Sequence, residues 1–87
     1  MAEESVIEFP CDFPIKMMGR DTPEFRATAR LLIESHTGPV ADEAIHVNLS
    51  GKGNFVSVTV TVTATSQQQL DDIYRDVSEH DDVLMAL

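Results

Sequence analysis

Basic residues are scarce in this 87-residue chain, which has six lysines and arginines against fifteen acids and a formal net charge of −9. A protein that binds nucleic acid mainly through its phosphates needs a basic surface, so this balance argues against that class. Cysteine is scarcer still, because Cys11 is the sole one. No internal disulfide can form, no cysteine–histidine spacing suggests zinc, and we predict neither a metal nor a cofactor.

Long apolar runs are also missing. No stretch approaches the roughly 20 residues that span a bilayer. Residues 1–5 lack the basic start and the apolar stretch of a secretory signal. We therefore expect a cytoplasmic protein that makes no membrane contact.

The length of the chain leaves room for one domain with a modest core. Residues 1–8 are acidic and lack periodicity, so we expect a flexible tail there and a single domain over residues 9–87. Apolar periodicity and capping signals then predict six elements in order. They are a strand at 13–19, a helix at 23–36, a strand at 45–49, a strand at 55–65, a helix from Ser66 to about His80, and a strand at 83–87.

The pattern of residues 55–65 is the clearest in the chain, because four valines and Ala64 alternate with serine and threonines. This indicates a strand with one buried face and one polar face. The order strand–helix–strand–strand–helix–strand predicts an α+β, ferredoxin-like sandwich. We expect an antiparallel four-stranded sheet of order 4-1-3-2, with both helices on one face. The loops at 19–22, 50–54 and 80–82 should then meet at one end of the sheet.

Two features are candidates for binding, one in the second of these loops and one on the sheet. Gly51-Lys52-Gly53-Asn54 could present backbone N–H groups and a lysine to an anion, or it could be a hairpin turn whose glycines allow positive φ. Lys16 should lie on the open, threonine-lined sheet face, as a binding cation or as an ordinary solvated lysine. Arg20 and Lys52 could join it in a local positive patch.

No catalytic constellation is recognisable in the chain. His36, His46 and His80 come from separate predicted elements and lack metal-ligand spacing. Catalysis usually requires a concave, partly dehydrated site with tuned groups, for which a chain this small has little room. We therefore expect a binding module rather than an enzyme.

Four segments resemble the YbeD-like family of short bacterial proteins of unassigned function: Phe9-Pro10, Lys16-x-Met18-Gly19, Lys52-Gly53-Asn54-Phe55 and the closing residues 83–87. The resemblance covers residues 9–87. It implies a ferredoxin-like fold close to that of ACT regulatory domains, which bind small effectors, often amino acids, at the loop between the first strand and first helix. Gly19 stands where the glycine of such a loop would.

Two functions follow as hypotheses. The first is a regulatory or adaptor module that contacts a protein partner through the open sheet face or the loops. The second is an ACT-like domain that senses a small metabolite near Gly19, Arg20, Lys52, Gly53 and Asn54. We favour the first of these functions and keep the second as its alternative.

Overall fold

The computed structural model of the protein describes residues 8–49 and 53–87. The predicted tail therefore lies outside the described residues except for Glu8, and so does Lys52. The elements follow in this order: β1 (Cys11–Arg20), α1 (Pro23–Thr37), a 3-10 helix (Asp42–Ala44), β2 (Ile45–Leu49), β3 (Phe55–Ala64), α2 (Gln67–Glu79) and β4 (Met85–Ala86).

The four strands form one sheet in the order β2-β3-β1-β4, and every neighbouring pair is antiparallel. This is the predicted order read from the other edge, so the ferredoxin-like prediction is confirmed. The register places Lys16 opposite Thr59 and Ile15 opposite Val60, which fixes the two faces of the sheet.

Both helices begin where their capping residues predict. The Thr22 hydroxyl accepts a hydrogen bond from the backbone N–H of Phe25 at 3.0 Å, and Pro23 occupies the first turn. The Ser66 hydroxyl accepts from the N–H of Gln69 at 3.1 Å. The Gln69 side chain reaches back to the N–H of Thr65, one residue before the position that a capping box would use.

The core lies between the helices and one face of the sheet. The alternating residues of β3 from Val56 to Ala64 are all buried, as their spacing predicts. Apolar residues of β1, of the two helices and of the turn before β4 complete the core: Ile15, Met17, Phe25, Ala29, Ile33, Leu70, Ile73, Val77 and Val83. Removing these side chains from water is the main force that holds the helices on the sheet.

Three features differ from the sequence prediction by more than a single residue. β1 begins two residues earlier, at Cys11, because it pairs along the whole of β3. β4 is only two residues long, although backbone hydrogen bonds in both directions between Lys16 and Leu87 extend its pairing by one position. The linker before β2 contains a 3-10 turn that the sequence did not predict, and Arg30 of α1 holds it through the carbonyl of Val40 and the carboxylate of Asp42.

Within the described parts of the chain, neither helix combines the length and the apolar character needed to cross a membrane.

Candidate functional site

The described parts of the three predicted loops meet at one end of the sheet, which we call the loop end: residues 19–22, 53–54 and 80–82. The backbone N–H of Asp21 donates to the carbonyl of Asn54 at 3.2 Å, which joins the first loop to the second. Gly19 is buried, and a Cβ atom there would lie 2.7 Å from the carbonyl oxygen of Asp82 in the third loop. The predicted gathering of these loops is therefore confirmed.

A cavity of about 250 Å³ opens at the loop end, between the start of α1 and the turn before β4. Phe25 and Leu84 supply apolar walls, whereas the polar groups are mainly acids with one arginine. Its lining residues are Arg20, Thr22, Glu24, Phe25, Asp81, Asp82 and Leu84. Such a site offers carboxylates to a small cation and a guanidinium to a small anion.

The sheet face opposite the helices, which we call the open face, carries the alternate residues of all four strands. On β1 and β3 these are Lys16, Met18, Arg20, Phe55, Ser57, Thr59, Thr61 and Thr63, together with Asp12 and Pro14 at the far end. Register adds His46 and Asn48 of β2, and Met85 of β4. The backbone pairing of Lys16 with Leu87 adds Leu87.

Charge is distributed unevenly between the two sides of the molecule. Asp12 is the sole acid in the four described strands, whereas Lys16, Arg20 and His46 all lie there. The strands thus hold two formal positive charges against one negative charge, in a chain of net charge −9. The open face is therefore the cationic side of an acidic protein.

The arginines of the helices are engaged by neighbouring acids. Arg26 contacts Asp21 at 2.8 Å, and Arg75 contacts Asp72 at 2.9 Å. Arg30 contacts both Glu34 and Asp42 at about 3 Å. Among residues 8–49 and 53–87, no comparable ion pair engages Lys16 or Arg20. Within the described residues, these two cations therefore lack the ion pairs that engage the helix arginines.

Apolar side chains accompany the cations on the open face. Phe55, Met85 and Leu87 are exposed there, and Met18 lies between them opposite both Ser57 and Met85. The Arg20 guanidinium lies 5.9 Å from the centre of the Phe55 ring, within the range of a cation–π contact. The sequence reasoning missed this apolar part, although alternation along β3 already places Phe55 on the threonine face.

The six candidate binding residues do not form one cluster. Gly19, Arg20, Gly53 and Asn54 belong to the loop end, whereas Lys16 lies four residues back along β1, about 13 Å from Arg20. Gly53 has a φ of 74°, which is the conformation expected of a turn glycine. Lys52 lies outside the described residues, so its role as a binding cation stays a prediction.

The three histidines do not converge. His36 Nε2 lies 2.5 Å from a carboxylate oxygen of Asp76, which ties the end of α1 to α2. His80 Nδ1 accepts from the N–H of Asp82 within the loop-end turn, and His46 lies on the open face. No group of three histidine, cysteine or acidic side chains that could hold a metal ion occurs among the described residues.

Fold and surface together define the class: a small α+β domain of ferredoxin-like topology that leaves one sheet face open. Residues 4–87 match the family described as "Protein of unknown function (DUF493)". The chain belongs to this family of small bacterial proteins, whose members are also called UPF0250 proteins. This assignment agrees with the YbeD-like resemblance of the sequence.

Similar proteins come from several bacteria. The UPF0250 protein of Paraburkholderia phytofirmans is 45% identical over 84 residues, covering 97% of this chain and 94% of that protein. UPF0250 protein NE1487 of Nitrosomonas europaea is 39% identical over 87 residues, the full length of both chains. The solution structure of protein HP0495 from H. pylori has a TM-score of 0.70 at 20% identity, and covers 99% of this chain and 90% of its own. At that identity the likeness supports the fold alone.

Proposed function

We propose that this protein is a non-catalytic adaptor or regulatory module that binds a protein partner through its open face. The observation that carries the proposal is the separation of charge. The helix arginines contact acids of their own chain, whereas Lys16 and Arg20 stand among exposed apolar side chains on the opposite side. Interfaces combine such apolar and aromatic anchors with complementary charge.

The chemistry of this face specifies the partner. Phe55, Met85 and Leu87 favour apolar side chains, and Lys16 and Arg20 favour carboxylates beside them. A nucleic acid fits less well, because few cations face it and the whole chain carries −9. The partner surface should therefore be acidic and partly apolar. Cys11 is unpaired, which agrees with a reducing compartment, and we propose the cytoplasm as the place of action.

A charge reversal tests this proposal. We expect a stoichiometric protein partner to copurify from the native cells with the tagged parent protein and with Arg75→Glu, but not with Lys16→Glu. Arg75 is a matched control because it is exposed on α2 and undergoes the same change of charge. With purified partner, Lys16→Glu should weaken binding by at least about tenfold, and added salt should weaken the parent complex. Equal binding by both variants, or a parent protein that captures no stoichiometric partner, would refute the proposal.

The cavity at the loop end favours a second candidate function, the sensing of a small metabolite. Its 250 Å³ lies below the usual range of roughly 300–1,000 Å³ for ligand pockets, so an occupant must be small. The acids Glu24, Asp81 and Asp82 line it together with Arg20, which suits a molecule that carries both an amino group and a carboxylate.

Thermal unfolding with a panel of amino acids tests this second function. A ligand at about 100 times its Kd should stabilise the folded state by about 2.7 kcal/mol, which is a large rise in the unfolding temperature of a small domain. Asp82→Asn should abolish the rise, whereas Asp71→Asn on α2 should preserve it. A panel that leaves the unfolding temperature of the parent unchanged would rule out the amino-acid class.

A further inference from the structure

The two edges of the sheet are protected to different degrees. An edge strand presents unpaired backbone groups that pair with another chain unless shortness, proline or charge prevents it. On one side, β4 is only two residues long, and the part of β1 that extends past it contains Pro14, which has no N–H to donate. That edge is therefore poorly suited to pairing.

The opposite edge, β2, carries none of these protections. Its five residues, Ile-His-Val-Asn-Leu, contain no proline and no formally charged side chain at pH 7. β2 packs on β3, whereas the helices pack against the other strands. As a result Val47 and Leu49, which face the helix side, remain 40% and 61% exposed. An uncharged edge flanked by exposed apolar side chains is the arrangement that favours strand addition.

We propose that the outer edge of β2 is a self-association site, where it pairs antiparallel with β2 of a second copy of this chain. A twofold axis through Val47 would place Val47 opposite its own counterpart and Ile45 opposite Leu49 of the second copy. This register pairs all five residues and keeps every apolar side chain on the helix side, with His46 beside Asn48 of the second copy on the other. A shift by one residue would place His46 on the apolar side, because side chains alternate along a strand.

The net charge of the chain and the self-complementary sequence of β2 favour a second copy as the binding partner of this edge. Two copies of a protein with net charge −9 repel each other over most of their surface, and β2 is a segment where they can meet without placing acids in contact. The segment is self-complementary, as a twofold interface requires. Because only five residues pair on each side, the interface is small, and we expect a weak dimer with a Kd between about 10 µM and 1 mM.

Sedimentation velocity over a range of protein concentrations tests this site. The parent should form a concentration-dependent dimer, and salt should strengthen it by screening the repulsion between the two copies. Val47→Lys should weaken the dimer at least about tenfold, because two ammonium groups would lie opposite each other across the axis. Leu31→Lys is the matched control, since Leu31 is 64% exposed on α1 and away from the edge. It should dimerise like the parent.

A charge-swap experiment separates pairing at β2 from simple loss of folding. Val47→Lys and Val47→Glu should each be monomeric and folded, and a one-to-one mixture should form the dimer again because opposite charges then face each other. Should either variant fail to fold, isotope-filtered NMR on mixed labelled and unlabelled parent protein should still detect contacts between the two Val47 side chains. A parent that stays monomeric to about 2 mM overturns the proposal. So does a dimer that is indifferent to Val47→Lys, a charged pair that does not associate, or a parent dimer without contacts between the Val47 side chains.

Discussion

Replacing Gly19 with alanine tests whether the loop end depends on close approach of backbone to backbone. Gly19 lies in β1 beneath the turn that precedes β4. A Cβ atom there would lie 2.6 Å from Cδ1 of Phe25 and 2.7 Å from the carbonyl oxygen of Asp82. Atoms at these distances overlap, so either the ring or the turn has to move. The ring is 2% exposed, although it also lines the loop-end cavity, and the oxygen belongs to the backbone.

The expected cost follows from these contacts. Forcing an extra methyl group into a packed region destabilises a protein by about 1–3 kcal/mol, and an overlap with backbone belongs near the upper end. Replacing glycine in a strand also returns roughly 0.5–1 kcal/mol, because the unfolded chain loses conformational freedom. The net loss should be about 2 kcal/mol, which for a domain of this size lowers the unfolding temperature by about 8–16 °C.

Urea and thermal denaturation of Gly19→Ala, Phe25→Leu and the double variant provide the assay. Shortening the ring at Phe25 should relieve part of the overlap, so the double variant should be more stable than the sum of the two single changes predicts. If Gly19→Ala were as stable as the parent, or if the two changes were strictly additive, the packing described at the loop end would be wrong.

Two further predictions concern the termini of the elements. The backbone N–H of Val40 and then the Arg30 side chain donate to Glu34, which lowers the pKa of its carboxyl below the ordinary 4.5. The stabilisation is present above pH 4.5 and is lost as the pH falls through the lowered pKa. The urea midpoint of Glu34→Gln should therefore fall less than that of the parent protein when the pH is lowered through this range. An equal decrease of the urea midpoint in the variant and in the parent protein would contradict this. The Tyr74 hydroxyl donates to the carbonyl of Leu87 at 2.9 Å, and Tyr74→Phe should cost about 0.5–1.5 kcal/mol and speed amide exchange at Leu87. Unchanged exchange there would show that the hydrogen bond does not anchor β4.

Much of the fold could be predicted because its signals are local. Alternating valines and threonines fix the two faces of β3, and Thr22 and Ser66 fix the starts of the helices. The order of elements then leaves one common topology for two split β-α-β units. The bounds of β4 were harder to predict, because its start and end depend on which of its residues pair with β1 and not on a local sequence signal.

The candidate site was predictable only in outline. Alternation places Lys16 on the open face, and topology gathers the loops around Gly19. The contacts that make the open face chemically distinct depend on tertiary structure, however. The bonds of Arg30 to the carboxylate of Asp42 and the carbonyl of Val40 join residues ten or more positions apart, through a turn that has no clear local signal. The cavity likewise forms between segments about sixty residues apart in the chain, from Arg20 to Asp82.

Because charge is distributed unevenly over the molecule, we expect salt to have opposite effects on association through the two proposed surfaces. Association through the open face brings the cations of an acidic protein to an acidic partner, so screening weakens it. Self-association through β2 brings two acidic molecules together at an uncharged strand, so screening strengthens it.

If β2 pairs as proposed, the open faces of both copies lie on the same side of one continuous sheet, because strand addition preserves the faces. A dimer would then present Lys16 and Arg20 twice, and an elongated acidic partner could engage both copies with greater avidity than one copy gives. High salt should therefore retain the dimer while releasing the partner.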